Sequence, residues 1–327
     1  SQDFGIEITR HSVNIDKIVL RSKKVAAKLS NGVKFLLAKN KVEVIKGYGT
    51  LLDNNRVSIE KENKDEDHII EARNIIIATG ARPKEIPGLK VDGVTVWDYK
   101  HALRPSEIPD KLIIVGSGAI GIEFASFYNA IGSEVTVLEM QTRILLAEDK
   151  DVSNYAQNRF EEKGIKFVLG TSFEVASLNK SRVTLRLNGE DNQEEVSASK
   201  ILVAAGVVGN LEGFGLEKVG VETKSGGILT DSFCETSVKN IYAIGDVTAP
   251  PWLAHKASHE GVLVAERIAG KKDVKPLDRE KIPGCTYSAP QIASVGLTEH
   301  QALERGYNVK IGNMPFLANG KALAMGE

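Results

Sequence analysis

Two kinds of hydrophobic spacing alternate along this chain. Short, mainly apolar runs bounded by glycine, proline or charge read as strands: Leu112–Val115, buried on both faces, then Val135–Leu138, Ile165–Val168, Ile201–Ala204 and the buried Ile241–Ile244. Between them, apolar residues three and four apart read as helices packed along one side. These are Ile120, Phe124, Phe127 and Ile131, then Val152, Tyr155, Ala156 and Phe160, then a helix from Leu253 to Ile268. Strands alternating with helices predict an α/β fold around a parallel sheet. The stretches 172–178, 182–188 and 194–198, broken by Asn188-Gly189 and acidic turns, predict a small antiparallel sheet. Nearer the N-terminus the pattern predicts an amphipathic helix from Asp16 to Asn31, a strand from Val42 to Lys46 and a hairpin around Asn54-Asn55. The charge-mixed run Glu60–Asp67 reads as a solvated hairpin tip. From Ile282 onward the pattern predicts strands at 284–287, 292–295 and 308–314 and a helix from Thr298 to Arg305.

The segment with the clearest chemistry is KLIIVGSGAIGIEFASFYNAIGSEVTVLE at 111–139. The strand Leu112–Val115 runs into Gly116-Ser117-Gly118-Ala119-Ile120-Gly121, a helical pattern follows, and a second strand stops at Glu139. GxGxxG alone is a weak signal, but strand, glycine turn, helix, strand and terminal acid in this order predict a dinucleotide site. Gly116 permits a tight turn and Gly118 lets the backbone approach a pyrophosphate seated on the helix N-terminus, whose first positions are Ala119 and Ile120. Gly121 lets helix and strand pack closely. Glu139 offers acceptors to both hydroxyls of an adenosine ribose and repels a 2′-phosphate, which points to NAD. The alternative is a glycine-rich turn that holds no ligand. Arg143, four residues on, reads as a surface charge, with service to an NADP phosphate as its other reading.

Composition narrows this picture. A chain of 327 residues has room for about two or three domains. A net charge of −1 gives no broad attraction to nucleic acid or to an anionic membrane, and no apolar stretch approaches the ~18 residues needed to span a bilayer. The N-terminal SQDFGIEITRHSV carries no signal-peptide pattern. Cys234 and Cys285 form no CxxC or CxxxxC pair and read as free core or strand cysteines of a reducing compartment. One short repeat bears on domain order: NIIIATG at 74–80 and KILVAAG at 200–206 both resemble the closing strand of a nucleotide-binding fold. The second has its matching glycine-rich opening at 111–121. The first has none upstream, so the chain is expected to lack the start of its first domain.

Taken in order, six motifs resemble the flavin- and pyridine-nucleotide-dependent disulfide reductases over essentially the whole chain. They are KGYGTL at 46–51, IIIATGARP at 75–83, GSGAIGIE at 116–123, TSVKNIYAIGD at 236–246, LAHKASHEG at 253–261 and YSAPQIASVGLTE at 287–299. LAHKA after the IGD strand favours the lipoamide dehydrogenase branch over glutathione or mercuric reductase. The resemblance implies two Rossmann-like FAD/NAD(P)-binding domains of the three-layer β/β/α type and the start of an α+β dimerisation domain. Their expected extents are 1–98 and 224–280 for the FAD-binding domain, 99–223 for the NAD-binding domain and 281–327 for the dimerisation domain. It further implies that Gly47 and Gly49 serve the adenosine side of FAD, and that Thr79 and Gly80 lie along the same cofactor. Asp246 would hold the ribityl chain, with an N-cap as its other reading. Leu253, Ala254 and His255 would present backbone and a helix N-terminus to the flavin ring, His255 through its backbone rather than by proton transfer, and His259 reads as a helix-surface residue. On the NAD side it adds Gly206 near the nicotinamide and Phe173 on the adenine, with ordinary core packing as the equal alternative for Phe173. Glu123 corresponds to an acid near the nicotinamide that pairs with a lysine from a segment not among these residues.

The implied activity is oxidation of dihydrolipoyl groups, with electrons passing through a disulfide and FAD to NAD+. The implied partners are a second copy, through apolar positions Ile292, Val295 and Leu297, and the lipoyl domains of 2-oxo acid dehydrogenase complexes. The implied place is the cytoplasm of a bacterium or the mitochondrial matrix of a eukaryote. The chain departs from the family in its catalytic groups: neither a CxxxxC pair nor the family's His–Glu pair is present, so no catalytic residue is assigned beyond a supporting Glu123. Val207-Val208-Gly209 also replaces the commoner arginine-containing sequence and proline. The other readings are a related NAD(P)H-dependent disulfide or mercuric reductase, and a nucleotide-binding module without redox activity.

Overall fold

The computed structural model describes residues 5, 7, 9–61, 68–188 and 194–325. Most of the run Glu60–Asp67, Gly189 of the expected turn and the last two residues lie outside them. In chain order the first elements are α1 (Ile15–Lys39), β1 (Tyr48–Leu51), β2 (Arg56–Glu60), β3 (His68–Glu71), β4 (Ile75–Ile77), β5 (Ala81–Pro83), β6 (Val96–Trp97) and α2 (Tyr99–Ala102). Then follow β7 (Lys111–Val115), α3 (Ala119–Ala130), β8 (Glu134–Leu138), α4 (Lys150–Glu162), β9 (Lys166–Val168), β10 (Ser172–Leu178), β11 (Val183–Asn188), β12 (Glu195–Ala198) and β13 (Lys200–Val203). The chain continues through β14 (Val207–Gly209), α5 (Leu216–Val219), β15 (Thr223–Lys224), β16 (Gly227–Ile228), β17 (Ile241–Ala243), α6 (Ala254–Ile268), β18 (Gly284–Thr286), β19 (Ile292–Ser294), α7 (Glu299–Glu304) and α8 (Gly320–Met325). These elements fall into two compact units, one from residues 1–26, 85–205 and 285–327, the other from 27–84 and 206–284.

The first unit is built on a five-stranded sheet in the order β6-β13-β7-β8-β9, every pairing parallel. Its strand interiors are largely apolar because both faces are covered. Leu112 and Ile114 of β7, Val135 and Val137 of β8 and Leu202 of β13 join one core with Ile122, Ala125 and Tyr128 of α3 and Ala156 and Phe160 of α4. The alternate residues Ile113, Val115, Leu138, Ile201 and Val203 join a second core with Val183, Leu185, Leu187 and Ala198. Those last four come from β11 and β12, which with β10 form the antiparallel three-stranded sheet expected from the turn signals. The unit is therefore three layers, helices on one face and a second sheet on the other.

The second unit holds a β1-β2-β3 antiparallel sheet, the parallel pair β17-β4 and the antiparallel pair β14-β5. Asn54-Asn55 does sit in the β1–β2 turn, where the Asn55 amide donates to Asp53 Oδ1. Its core gathers Leu51, Ile77, Phe214, Leu216, Ile241, Ala243 and Val247. Beside it a smaller cluster holds Cys234, Tyr242, Leu263 and Val264.

Several local expectations are revised. The first helix runs past Ser30-Asn31-Gly32 to Lys39, and none of its residues is buried. Gly32 costs about 1 kcal/mol in a helix interior, too little to stop it when good helix formers follow. Residues 42–46 do not form a strand: Lys41 turns the chain with φ 56°, and Val42 closes the helix by donating to the Leu37 carbonyl. Val44 stays exposed, and no strand among the described residues pairs with it. No strand forms at 308–314 either, whereas Thr298 caps α7 with a reciprocal capping box to Gln301. On α3 the expected Phe124, Phe127 and Ile131 do pack on the core, but the fully buried positions are Ile122, Ala125 and Tyr128, and Ile120 is exposed. On α4, Ser153, Ala156 and Phe160 are buried while Val152 and Tyr155 face solvent. Ile292, expected to need a partner surface, is covered by the first unit's own core, and Val295 is exposed.

Packing makes three predictions. Tyr128 is fully buried and donates to the Ala102 carbonyl at 2.7 Å. Tyr128→Phe leaves that oxygen unsatisfied and should cost about 1–3 kcal/mol in urea denaturation. Cys234 is buried and burial pushes its thiol from 9.0 to about 11, whereas Cys285 is exposed. The native chain should therefore show one fast thiol toward Ellman's reagent, lost in Cys285→Ser. Because the folded value is raised, the stability due to Cys234 is complete below pH 9 and is lost as pH rises toward about 11. Cys234→Ala should remove that part of the pH slope.

Candidate functional site

In the first unit the C-terminal ends of β7 and β8 bring the predicted dinucleotide residues together. Gly116 has φ 104°, and a Cβ there would meet the Ala204 carbonyl oxygen at 2.5 Å, so the crossing of β7 past β13 requires glycine. A Cβ on Gly121 would run into the Gly116 carbonyl. Gly118 differs: it faces open space, with nothing within 4 Å of a built Cβ. It also caps α3 without a side chain. Gly118, Ala119 and Ile120 are exposed, leaving the first turn of a 12-residue helix open to an anion.

Glu139 stands at the end of β8, half-buried, with its carboxylate already engaged. Oε2 accepts from the Ser117 amide at 3.0 Å and the Ser117 hydroxyl at 2.8 Å, and Oε1 accepts from the Gln141 amide at 3.0 Å. A carboxylate has about four acceptor positions, so one on Oε1 remains for a ligand hydroxyl. Arg143 is not a loose surface charge. Its guanidinium donates to the Leu146 and Glu148 carbonyls and to the Ser153 hydroxyl, which staples the loop between β8 and α4.

The other predicted NAD residues are placed as follows. Phe173 pairs with Leu187 across the β10–β11 ladder and packs, half-buried, on the core between the two sheets. Gly206 follows β13 with φ 99°, and its carbonyl accepts from the Lys84 amide. Glu123 of α3 directs Oε1 to the Tyr287 amide at 2.8 Å, and the neighbouring Ser126 hydroxyl accepts from the Ala289 amide. The tail segment 287–289 therefore docks on α3 through backbone donors.

In the second unit Gly47 has φ 156° and a Cβ there would lie 2.5 Å from the Glu60 carbonyl oxygen, so strand pairing demands the glycine. Gly49, opposite Ile59, has ordinary room. Thr79 is tied twice to Asn210, its hydroxyl donating to the Asn210 carbonyl and its own carbonyl accepting from Asn210 Nδ2. Gly80, at φ 70°, accepts from the Asn210 amide and has open space beside it. Asp246 sits half-buried in the single turn Gly245–Val247 that follows β17. Leu253 caps α6 without a side-chain bond, and Ala254 and His255 are exposed at its first turn. The His255 ring, through Nε2, bonds the Pro283 carbonyl at 2.9 Å, and His259 is exposed.

Sequence reading missed the pair that holds this turn. Lys256 is fully buried and donates to the Gly245 carbonyl, the Thr248 hydroxyl and the Ala249 carbonyl. Its ammonium lies 3.5 Å from Glu260 Oε1, while Glu260 Oε2 accepts the Gly245 amide at 2.8 Å. Burial holds the lysine below its usual range against the opposite pull of Glu260. The signal was present: Lys256, Glu260, Leu263 and Val264 share one helical stripe, and they are the buried residues of α6. A charge pair on an otherwise apolar stripe marks a buried ion pair. Among the described residues no cluster of three or more metal-ligating side chains occurs and no helix is long and apolar enough to cross a membrane.

These features fit comparisons with known proteins. The model of the pyridine nucleotide-disulphide oxidoreductases matches residues 5–261, and that of their dimerisation domain matches residues 282–327. A dihydrolipoyl dehydrogenase of Zymomonas mobilis is 47% identical over all of this chain and 70% of its own length. One from Rhizobium etli is 43% identical over all of this chain and 71% of its own length. Among solved structures, LpdA of Mycobacterium tuberculosis superposes with a TM-score of 0.88 at 27% identity, covering 97% of this chain and 70% of that one. The HOCl-induced flavoprotein disulfide reductase RclA of Escherichia coli gives 0.83 at 25% identity, covering 96% and 71%. FAD and NAD are the cofactors of that family. With a glycine loop, an open helix N-terminus and a fixed strand-end acid in one unit, and whole-chain relatives beside them, the chain belongs to the pyridine nucleotide-disulphide oxidoreductase family.

Proposed function

We propose that the chain carries the NAD-binding domain and most of the FAD-binding domain of a dihydrolipoyl dehydrogenase. The observation that carries this reading is the Gly116–Glu139 loop, where an open glycine, a helix start with no side-chain cap and an acid that would repel a 2′-phosphate converge. The matches to dihydrolipoyl dehydrogenases, which span all of this chain and about 70% of theirs, support the substrate class. In this reading residues 1–98 and 224–280 form the FAD-binding domain, 99–223 the NAD-binding domain and 281–327 the opening of a dimerisation domain. The first-turn amides of α3 take the pyrophosphate of NAD, and Glu139 orients the adenosine. Asp246 takes ribityl hydroxyls, and the first turn of α6, at Ala254 and His255, places positive helix-end charge against the flavin ring. Bound FAD supplies the two-electron relay between thiols and NAD+. Lipoyl domains of 2-oxo acid dehydrogenase complexes present the substrate, and the working assembly is a homodimer.

The 327 residues by themselves are inactive in this proposal. A dithiol needs a thiolate held against the flavin and a base to deprotonate it. Cys234 is buried with a raised pKa, and Cys285 on β18 has no CxxxxC partner, so neither serves. Expressed as residues 1–327 with added FAD, the chain should give no dihydrolipoamide-dependent NADH formation while still binding NADH. Turnover lost in Cys234→Ser or Cys285→Ser would overturn the reading of the cysteines, and turnover insensitive to both would reopen the substrate assignment. Sedimentation of the active enzyme should give a dimer; an active monomer would remove that part.

A further inference from the structure

We propose that Ser117 is a positioning residue for cofactor selectivity: by fixing the Glu139 carboxylate it decides how strongly the site prefers an unphosphorylated adenosine ribose. This rests on the reading of the Gly116–Glu139 loop as the NAD site. Ser117 is only 1% exposed, so its hydroxyl faces protein and is out of a ligand's reach. It nevertheless gives two hydrogen bonds to one oxygen of Glu139, through its amide at 3.0 Å and its hydroxyl at 2.8 Å. The Ser117 carbonyl accepts the Leu145 amide, so the same residue also anchors the loop that follows β8. Glu139 Oε1 is held in turn by the Gln141 amide.

A glutamate has three side-chain torsions and an exposed one swings freely. A swinging carboxylate rejects a 2′-phosphate weakly, because it can turn outward and let solvent screen the repulsion. Held at both oxygens, Glu139 cannot turn, and the phosphate would have to sit against a fixed negative charge. The nearest cation in sequence offers no relief, since Arg143 spends its guanidinium on Leu146, Glu148 and Ser153. The same restraint presents the remaining Oε1 lone pair to a ribose hydroxyl without an ordering cost at binding. Ser117 thus improves binding of the correct ligand and worsens that of the wrong one.

The test is calorimetric titration of the whole chain with ADP-ribose and with 2′-phospho-ADP-ribose, which need neither flavin nor redox chemistry. Wild type should prefer ADP-ribose. Ser117→Ala should weaken ADP-ribose about tenfold, the scale of a hydrogen bond to a charged group, and leave the phosphorylated ligand unchanged or tighter. Ser117→Cys, with its weaker donor, should fall between. Equal loss for both ligands, or an unchanged ratio, would overturn the proposal, since a purely structural role moves both together. Glu139→Gln separates the two layers. If it abolishes the preference while Ser117→Ala does not, only the positioning role fails. If it leaves the preference intact, or wild type binds neither ligand, the NAD reading falls and this inference with it.

Discussion

The parallel sheet of the first unit must be covered on both faces, and most of what the site needs follows from that. The apolar residues of β7, β8 and β13 each face one of two cores, with Leu112 and Ile114 of β7 toward α3 and α4 and Ile113 and Val115 toward β11 and β12. Burying a large aliphatic side chain gains about 1.5–3 kcal/mol, and a one-residue slip would exchange the two sets. The register is therefore held tightly. Because it is, the C-terminal ends of β7 and β8 arrive side by side, and Ser117 meets Glu139 across them.

Close backbone packing then selects the glycines for different reasons. Gly116 and Gly121 are required by neighbours of the protein itself, since any Cβ would strike a carbonyl oxygen. Gly118 has no such neighbour, and its emptiness is what a ligand needs. In the second unit the same contrast separates Gly47, forced by Glu60, from Gly80, which borders open space. A glycine that no intramolecular contact explains carries more functional information than one that packing explains.

The second unit shows a different device, a turn fixed in place after a short strand. Gly245 is gripped at its amide by Glu260 and at its carbonyl by Lys256. Such a pair is costly to desolvate, and removing Glu260, which Arg279 also approaches at 3.7 Å, would leave the buried lysine without its carboxylate. It serves here because several polar atoms of the turn satisfy the lysine at once. The exposed apolar residues of α1 and of the tail, among them Leu29, Phe35, Phe316 and Leu317, are the opposite case, apolar surface left uncovered.

What the sequence determined by itself was whatever depends on neighbours a few residues away. The strands and helices of 111–203, the three-stranded antiparallel sheet, the β1–β2 turn and the order GxGxxG to Glu139 were all legible, since period, turn chemistry and glycine spacing are local. Its misreadings came where a partner decides the outcome. Val42–Lys46 and 308–314 have strand-like composition but, among the described residues, no strand beside them, and α1 ignores its Gly32. Tertiary structure alone decided that Arg143 is spent on its own loop, that Lys256 turns inward, that Phe173 packs between sheets and that Glu139 is held by Ser117. Each of these depends on which hydrogen-bond acceptor or apolar surface the fold brings within reach, and a one-dimensional pattern does not contain that distance.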